Sequence, residues 1–386
     1  MIQSEHKMHK EWADCKNILC IRADNMGDLL MSGPAIRALK ETFHAKITVL
    51  TSSMAAGAGK HITEIDEIIT YDLPWVKTSS AIESKHFFAL IKQLKSKNFD
   101  AAVLFSVYSQ NPLPAAMLAF LAGIPHRLAY CRENPYELLT EWIPDKEPYT
   151  LIKHQVNRDL DLVACVGATT SNDKLAINVT PGIWESLKSR LSRAGIDLLA
   201  PWLIVHAGVS EKKREYPFNL WVETARRIVS ETGYQVLFTG GISEKPLTDQ
   251  LQLAAGEKTY SLGGFFELDE FISLIDQAPL LISVNTGTVH LAAAVNTPVI
   301  VLYALTNPQH VPWKVKGIVL PFDVLEDMQS NNEIIRYVNQ HFFAKPAGMI
   351  LPTQILTAVR NIFSGKTIDE IDPDCLIKRK DLPYEG

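Results

Sequence analysis

Leu280 to Tyr303 reads LLISV-NTGT-VHLAAAV-NTP-VIVLY, and this stretch decides the fold. A short apolar run ends in a polar turn, a small-residue helical segment follows, and a second apolar run starts after Asn296-Thr297-Pro298. Short β-branched runs bounded by turn residues read as buried strands, and two of them joined through a helix make a βαβ unit. The turn 285–288 delivers the chain to a helix N-terminus, where backbone N–H groups and the positive end of the helix dipole favour a pyrophosphate. Thr286 and Thr288 add hydroxyls, Gly287 permits close approach, and Ala292 to Ala294 let the helix lie against a sheet. An ordinary capped helix would show the same residues, so this pattern alone leaves phosphate binding open.

Working outward, WLIVHAG (202–208), a helical FNLWVETARRIVSET (218–232) and QVLFTGG (235–241) precede that unit. A separate series opens the chain: NILCIR (17–22), LLMSGPAIRALKETF (29–43), ITVL (47–50), EIIT (67–70), FFALIKQLKSK (87–97) and AAVLFS (101–106). Two such series predict an α/β protein of two Rossmann-like lobes with parallel sheets, whose ligands sit beyond the carboxyl ends of the strands. Between them TPGIWESLKSRLSRAGIDLLAP (180–201) reads as an interdomain connection and puts the boundary near residue 185. The expected organisation is an N-terminal extension (1–16), a first lobe (17–185), a second lobe (186–350), and a C-terminal helix and charged tail (351–386). In two-lobed folds such a helix often packs back onto the first lobe.

The 386 residues suit two domains. A formal charge of −5, from 38 Lys plus Arg against 43 Asp plus Glu, weighs against non-specific nucleic-acid binding. Five cysteines, Cys15, Cys20, Cys131, Cys165 and Cys375, show no C-x-x-C spacing and read as reduced thiols rather than zinc ligands. The polar N-terminus has no secretory apolar region, so a cytoplasmic location is expected. Leu113 to Ile124 (LPAAMLAFLAGI) is too short to span a bilayer and is expected to be a buried helix. Membrane contact is expected to be peripheral if the acceptor is lipid-linked, and Lys95-Ser96-Lys97 is too short a basic run to serve as an amphipathic anchor.

Several motifs fail. The G-x-G-x-x-G fingerprint is absent after both first strands, and Gly59-Lys60 lacks the upstream Gly and the following Ser or Thr of a P-loop. There is no H-E-x-x-H and no G-x-S-x-G. Asp159-Leu160-Asp161 imitates a metal-binding acidic pair but sits in an amphipathic helical pattern, HQVNRDLDLVACVG, and reads as a solvated helix face. At the first strand, NILCIR runs into Ala23-Asp24-Asn25-Met26-Gly27-Asp28. A carboxylate at Asp28 can take a proton from a sugar hydroxyl as a general base, or it can simply cap the helix. The residues alone do not choose between the two.

Together, NMGDLLMSGPAIRALK (25–40), HAGVSEKKREYPFNLW (206–221), FTGGISEKPL (238–247) and SVNTGTVHLAAAVNTPVIVLYALTNP (283–308) resemble glycosyltransferase family 9, the lipopolysaccharide heptosyltransferases and their relatives. The resemblance runs in order along roughly residues 17–350. It implies a GT-B fold, with two lobes facing a central cleft, and inverting transfer of a sugar from a nucleotide donor without a metal. Asp28, beside Gly27, then matches the family's catalytic base. Thr286, Gly287 and His290 match the donor-binding turn and helix, with Thr288 in the same turn. Glu244 matches a carboxylate that contacts the donor nucleoside. The family's lysine for the leaving diphosphate falls on Arg214, with Lys213 second and Lys212 alongside. Asn285 stands where well-known members carry Asp, and Leu302 to Pro308 loses a Gly, a Pro and an Asp of the usual pattern. An ADP-linked sugar remains the favoured co-substrate, and the acceptor is expected to be a bacterial surface glycan or its lipid-linked form.

Arg127 and Arg132 are candidate acceptor contacts, since guanidinium groups suit phosphorylated or carboxylated glycans. His154 and Arg158, four apart on one helix face, either line the same cleft or serve the core. The rival functions are a GT-B epimerase or hydrolase acting on the nucleotide sugar alone, and a non-catalytic nucleotide-sugar-binding subunit.

Overall fold

The computed structural model describes residues 11–76, 83–343, 348–364 and 368–377. The chain divides into two compact units, Met1–Ala176 and Ile177–Gly386. The first runs β1 (Asn17–Arg22), α1 (Met26–Phe43), β2 (Lys46–Thr51), α2 (Ser53–Gly59), β3 (Glu67–Thr70), α3 (Ser84–Ser96), β4 (Ala101–Leu104), α4 (Leu113–Leu121), β5 (His126–Cys131), β6 (Glu141–Pro144) and α5 (Gln155–Ala164). Its six strands lie parallel in the order β3-β2-β1-β4-β5-β6. Helices on a parallel sheet bury its strands, and accordingly Leu19, Ile21, Leu50 and Leu104 share one core with Leu118 and Ala119 of α4.

Strand β5 completes a further βαβ unit with β4 and α4, and β6 joins it in parallel after the loop that follows β5. Two expectations change here. Helix α4 buries Ala115, Ala116, Leu118 and Ala119 but leaves Met117, Phe120 and Leu121 exposed, so the apolar stretch is only half buried. Asp159 does not stand on a solvated face: it is 1% exposed, because Gln155, Val156, Asp159, Leu162 and Val163 form the inward stripe of α5. Asp161 does face outward and pairs with Lys153.

The second unit runs α6 (Ile183–Arg193), β7 (Trp202–His206), α7 (Phe218–Thr232), β8 (Gln235–Gly240), α8 (Lys245–Ala255), β9 (Thr259–Gly263), α9 (Leu268–Gln277), β10 (Leu281–Val284), α10 (Gly287–Ala294), β11 (Val299–Ala304), β12 (Gly317–Phe322), α11 (Glu333–His341) and α12 (Pro352–Phe363). Its parallel order is β12-β11-β10-β7-β8-β9. The segment read as a connection forms α6, which buries Leu187 and Leu191 and packs on α9; the two units divide at 176/177, close to the expected boundary near 185.

Helix α12 also belongs to this unit. Ile355, Leu356, Ala358, Val359 and Ile362 sit in the core beneath β7, β8 and β10, and the helix packs on α7. Its apolar stripe is buried within the second unit. Most of the N-terminal extension and the last nine residues of the tail lie outside the described residues.

Candidate functional site

In each sheet the strand order reverses beside the first strand of its unit, at β1/β4 and at β7/β10. Loops leaving such a pair diverge and open a crevice at the carboxyl ends of the strands. The candidate residues after β1, β7 and β10 are carried to these two switch points.

After β1, Asn25 caps α1 and Asp28 occupies the third position of the helix. One carboxylate oxygen of Asp28 accepts the Asn25 N–H at 3.1 Å and the other accepts Arg22 Nη2 at 3.2 Å. The helix-capping role is therefore present in the geometry. Capping alone, however, does not account for the buried guanidinium on the other oxygen. Asp28 is 8% exposed, and Gly27 is buried beside it.

Arg22 is fully buried and also pairs through Nε with Asp24 at 3.3 Å. Burial opposes its charge, but Asp24, Asp28 and Asp159 together raise its pKa further above the usual range. Asp159 stands behind this group. Ser32 Oγ donates to one of its oxygens at 2.7 Å, and Gln155 Nε2 donates to the other at 2.8 Å. Burial pushes Asp159 up to about 6, against the opposing pull of Arg22, Ser32, Gln155 and Arg158. Burial likewise raises Asp24, with Arg22 and Gln110 opposing. The chain thus gathers three carboxylates around one buried guanidinium.

The arginines proposed for an acceptor are placed differently. Arg127 is 7% exposed, and its guanidinium donates to the carbonyls of Ile124, Pro125, Glu137 and Leu138. Those donors are committed to the corner between α4 and β6, which corrects the acceptor assignment for this residue. Arg132 is half-buried and donates from Nη1 to the carbonyls of Tyr108 and Glu147. Arg158 is buried in a fork to Asp145, at 2.9 and 2.8 Å, and to Glu147 at 2.8 Å. His154 is fully buried, and its Nδ1 accepts the Val156 N–H at 3.2 Å to cap α5. Both serve the core.

In the second unit the loop after β7 carries Lys212, Lys213 and Arg214 in one helical turn. Arg214 Nη1 donates to the Asn285 carbonyl at 3.0 Å, and Nη2 lies 3.1 Å from Glu211, which also pairs with Lys213 at 3.3 Å. This brings a guanidinium to the turn between β10 and α10. Asn285 turns its side chain away, toward β11: its Oδ1 accepts the Ala304 N–H at 3.0 Å and its Nδ2 donates to the Ala304 carbonyl at 3.2 Å. Only an amide satisfies both partners, since a carboxylate would face the Ala304 carbonyl with a lone pair. Thr286 is the N-cap of α10, and its Oγ1 is buried without a hydrogen bond among the described residues. Gly287 opens that helix at the surface, while Thr288 and His290 are buried behind it.

Glu244 follows β8 and accepts the Gly241 N–H at 2.7 Å. Its carboxylate lies across Gly208: a Cβ at Gly208 would fall 1.8 Å from Glu244 Oε1, and one at Gly240 would fall 2.8 Å from Glu244 Cβ. Gly208 is a residue that sequence reasoning misses, although the small pair Ala207-Gly208 directly after a strand is the available signal. His206, ending β7, holds Thr239 Oγ1 at 3.1 Å, and burial lowers its pKa against the opposing charge of Glu244. Beside these groups a cavity of about 480 Å³ is floored by Tyr216, Trp221 and Phe322 and edged by Lys212, Lys213 and Glu244.

Among the described residues, one His/carboxylate group is compact enough to hold a cation: Glu11, His126 and Glu141, with ligand atoms within 4.8 Å of one another. His126 and Glu141 begin β5 and β6, at the amino ends of the strands, whereas Asp28 follows the carboxyl end of β1.

Residues 87–331 match the family description glycosyltransferase family 9 (heptosyltransferase). The chain belongs to glycosyltransferase family 9. The lipopolysaccharide heptosyltransferase 2 of Escherichia coli K12 is 25% identical over 309 residues, covering 76% of this chain and 84% of the relative. A family 9 glycosyl transferase from Veillonella parvula superposes with a TM-score of 0.72 at 18% identity, over 92% of this chain and 98% of its own. The E. coli heptosyltransferase WaaC, solved with ADP, superposes with a TM-score of 0.59 at 19% identity, over 84% and 98% of the two chains. As a family 9 member this protein is a glycosyltransferase of GT-B fold. In this member the amide of Asn285 ties the turn after β10 to β11 through its two bonds to Ala304.

Proposed function

We propose that this family 9 enzyme moves a heptose or related sugar from an ADP-linked donor to a lipopolysaccharide-type acceptor, with inversion at the anomeric carbon. The observation that carries the reading is Asp28: a buried carboxylate, fixed by Asn25 and Arg22, at the carboxyl end of β1. As the acceptor hydroxyl attacks the anomeric carbon, Asp28 takes its proton, and the bond to the diphosphate breaks on the opposite face. Single displacement of this kind inverts the centre. Negative charge then accumulates on the departing diphosphate. Arg214, held at the Asn285 carbonyl, and the N-terminus of α10 supply a fixed positive field there, so the reaction as proposed uses no metal. Lys213 stands second to Arg214. Glu244, seated on Gly208, is proposed to hold the donor's ribose hydroxyls, and the fold neighbour solved with ADP supports an adenine nucleotide.

The acceptor is proposed to be presented at the cytoplasmic face of the inner membrane. Among the described residues no helix is long and apolar enough to cross a membrane. The test is Asp28→Asn. It should bind ADP in calorimetry within about twofold of the wild type while transfer falls by roughly 10²–10⁴, the range a general base contributes. Wild-type turnover in this variant would sink the mechanism. Donor consumption indifferent to acceptor would favour the hydrolase or epimerase reading instead.

A further inference from the structure

The first unit carries an apolar and basic surface that the proposed chemistry does not use. On α3, Phe88 is 61% exposed, and Phe88, Lys92 and Lys95 fall within one sector of about 60° on the helix. Leu90 and Leu94 occupy the opposite, buried side. Helix α3 packs on α4, whose Met117, Phe120 and Leu121 are 43, 45 and 44% exposed and share a sector of about 100°. Lys92 and Lys95 have no ion-pair partner among the described residues, whereas neighbouring Lys85 and Lys97 pair with Glu83 and Glu67. Large apolar side chains beside unpaired lysines, on a protein of net charge −5, form a concentrated exception to its surface.

We propose that this face of α3 and α4 is a docking surface for an anionic lipid bilayer. Phe88, Met117, Phe120 and Leu121 enter the boundary between headgroups and acyl chains, and Lys92 and Lys95 meet the phosphates. Charge complementarity selects the bilayer over a second copy of the chain. A twofold contact through this face would bring unpaired lysines toward the same lysines of the partner.

The test is co-sedimentation of the full chain with vesicles of phosphatidylethanolamine and phosphatidylglycerol, against vesicles of phosphatidylcholine alone. Wild type should bind the anionic vesicles and release in high salt. Two variants divide the contributions: K92Q/K95Q should weaken binding roughly 25-fold, about fivefold per lysine, and F88S/L121S at least about tenfold. All four positions are solvent-exposed, so circular dichroism and Tm should match the wild type. Equal binding of both variants, or no binding by the wild type, overturns the proposal. So does a wild-type dimer in light scattering that F88S/L121S converts to monomer, since the face would then belong to a second copy. Neither donor nor acceptor is present, so the outcome is independent of the Asp28→Asn test.

Discussion

Asp159 shows how far tertiary surroundings can move one side chain from its sequence reading. An Asp in a charged helical pattern reads as solvated, yet Ser32, 127 positions away, and Gln155, one turn back, close it into the buried group around Arg22. Burial holds its pKa at about 6 in the folded protein, above the ordinary value of about 3.8. For an acid raised in this way, stability is greatest below the unfolded value and is lost as pH rises from about 4 to about 6. A rise of that size corresponds to about 3 kcal/mol. In Asp159→Asn the amide oxygen should still accept from Gln155, while its NH2 donates to Ser32 Oγ, whose hydroxyl donates to the Asp28 carbonyl. Denaturant titrations should find it more stable than wild type by up to about 3 kcal/mol at pH 7.5, with the difference vanishing near pH 4. An equal difference at both pH values would show that the buried charge is not responsible. The i, i+4 pair Gln155 and Asp159 is visible in the sequence, but no local pattern connects Ser32 and Arg22 to it.

At the scale of elements, the strand-to-helix turns place the donor candidates, and small residues set how closely those turns approach. The turn after β8 folds Glu244 back over Gly208 at the end of β7. Gly208→Ala puts a methyl where the carboxylate lies, so Glu244 must move. ADP affinity should fall by about tenfold or more in calorimetry, with little change in Tm. Unchanged affinity would remove Glu244 from the donor site. The Gly241 and Glu244 turn is legible because glycines and a following acid mark a strand end. Gly208 is not, because its constraint comes from a side chain 36 residues later. Arg127 misleads for the same reason: carbonyls from two different segments, 124–125 and 137–138, take up its donors.

At the scale of the whole molecule, two cores stabilise two units. Helix α12 closes the second, with Ile355 fully buried beside Leu356 and Val359. Ile355→Ala should cost about 2–5 kcal/mol through lost burial and the cavity left behind. Calorimetry should show one thermal transition lowered and the other unmoved. ADP at about 100 times its dissociation constant adds about 2.7 kcal/mol to whatever unit binds it, and should raise the transition that Ile355→Ala lowers. A rise confined to the other transition would place the nucleotide on the first unit.

The sequence by itself determined the α/β class, the two βαβ series, and the family through motifs that are contiguous in the chain. Those features are local: strand and helix periods, turn residues, and short runs that must follow one another to fold. Only the tertiary structure decided where α6 and α12 belong, which arginines are consumed by carbonyls, and that Asp159 is buried beneath Asp28. Each of these depends on partners far apart in the chain, and burial and hydrogen bonding are fixed only when the packed units bring those partners together.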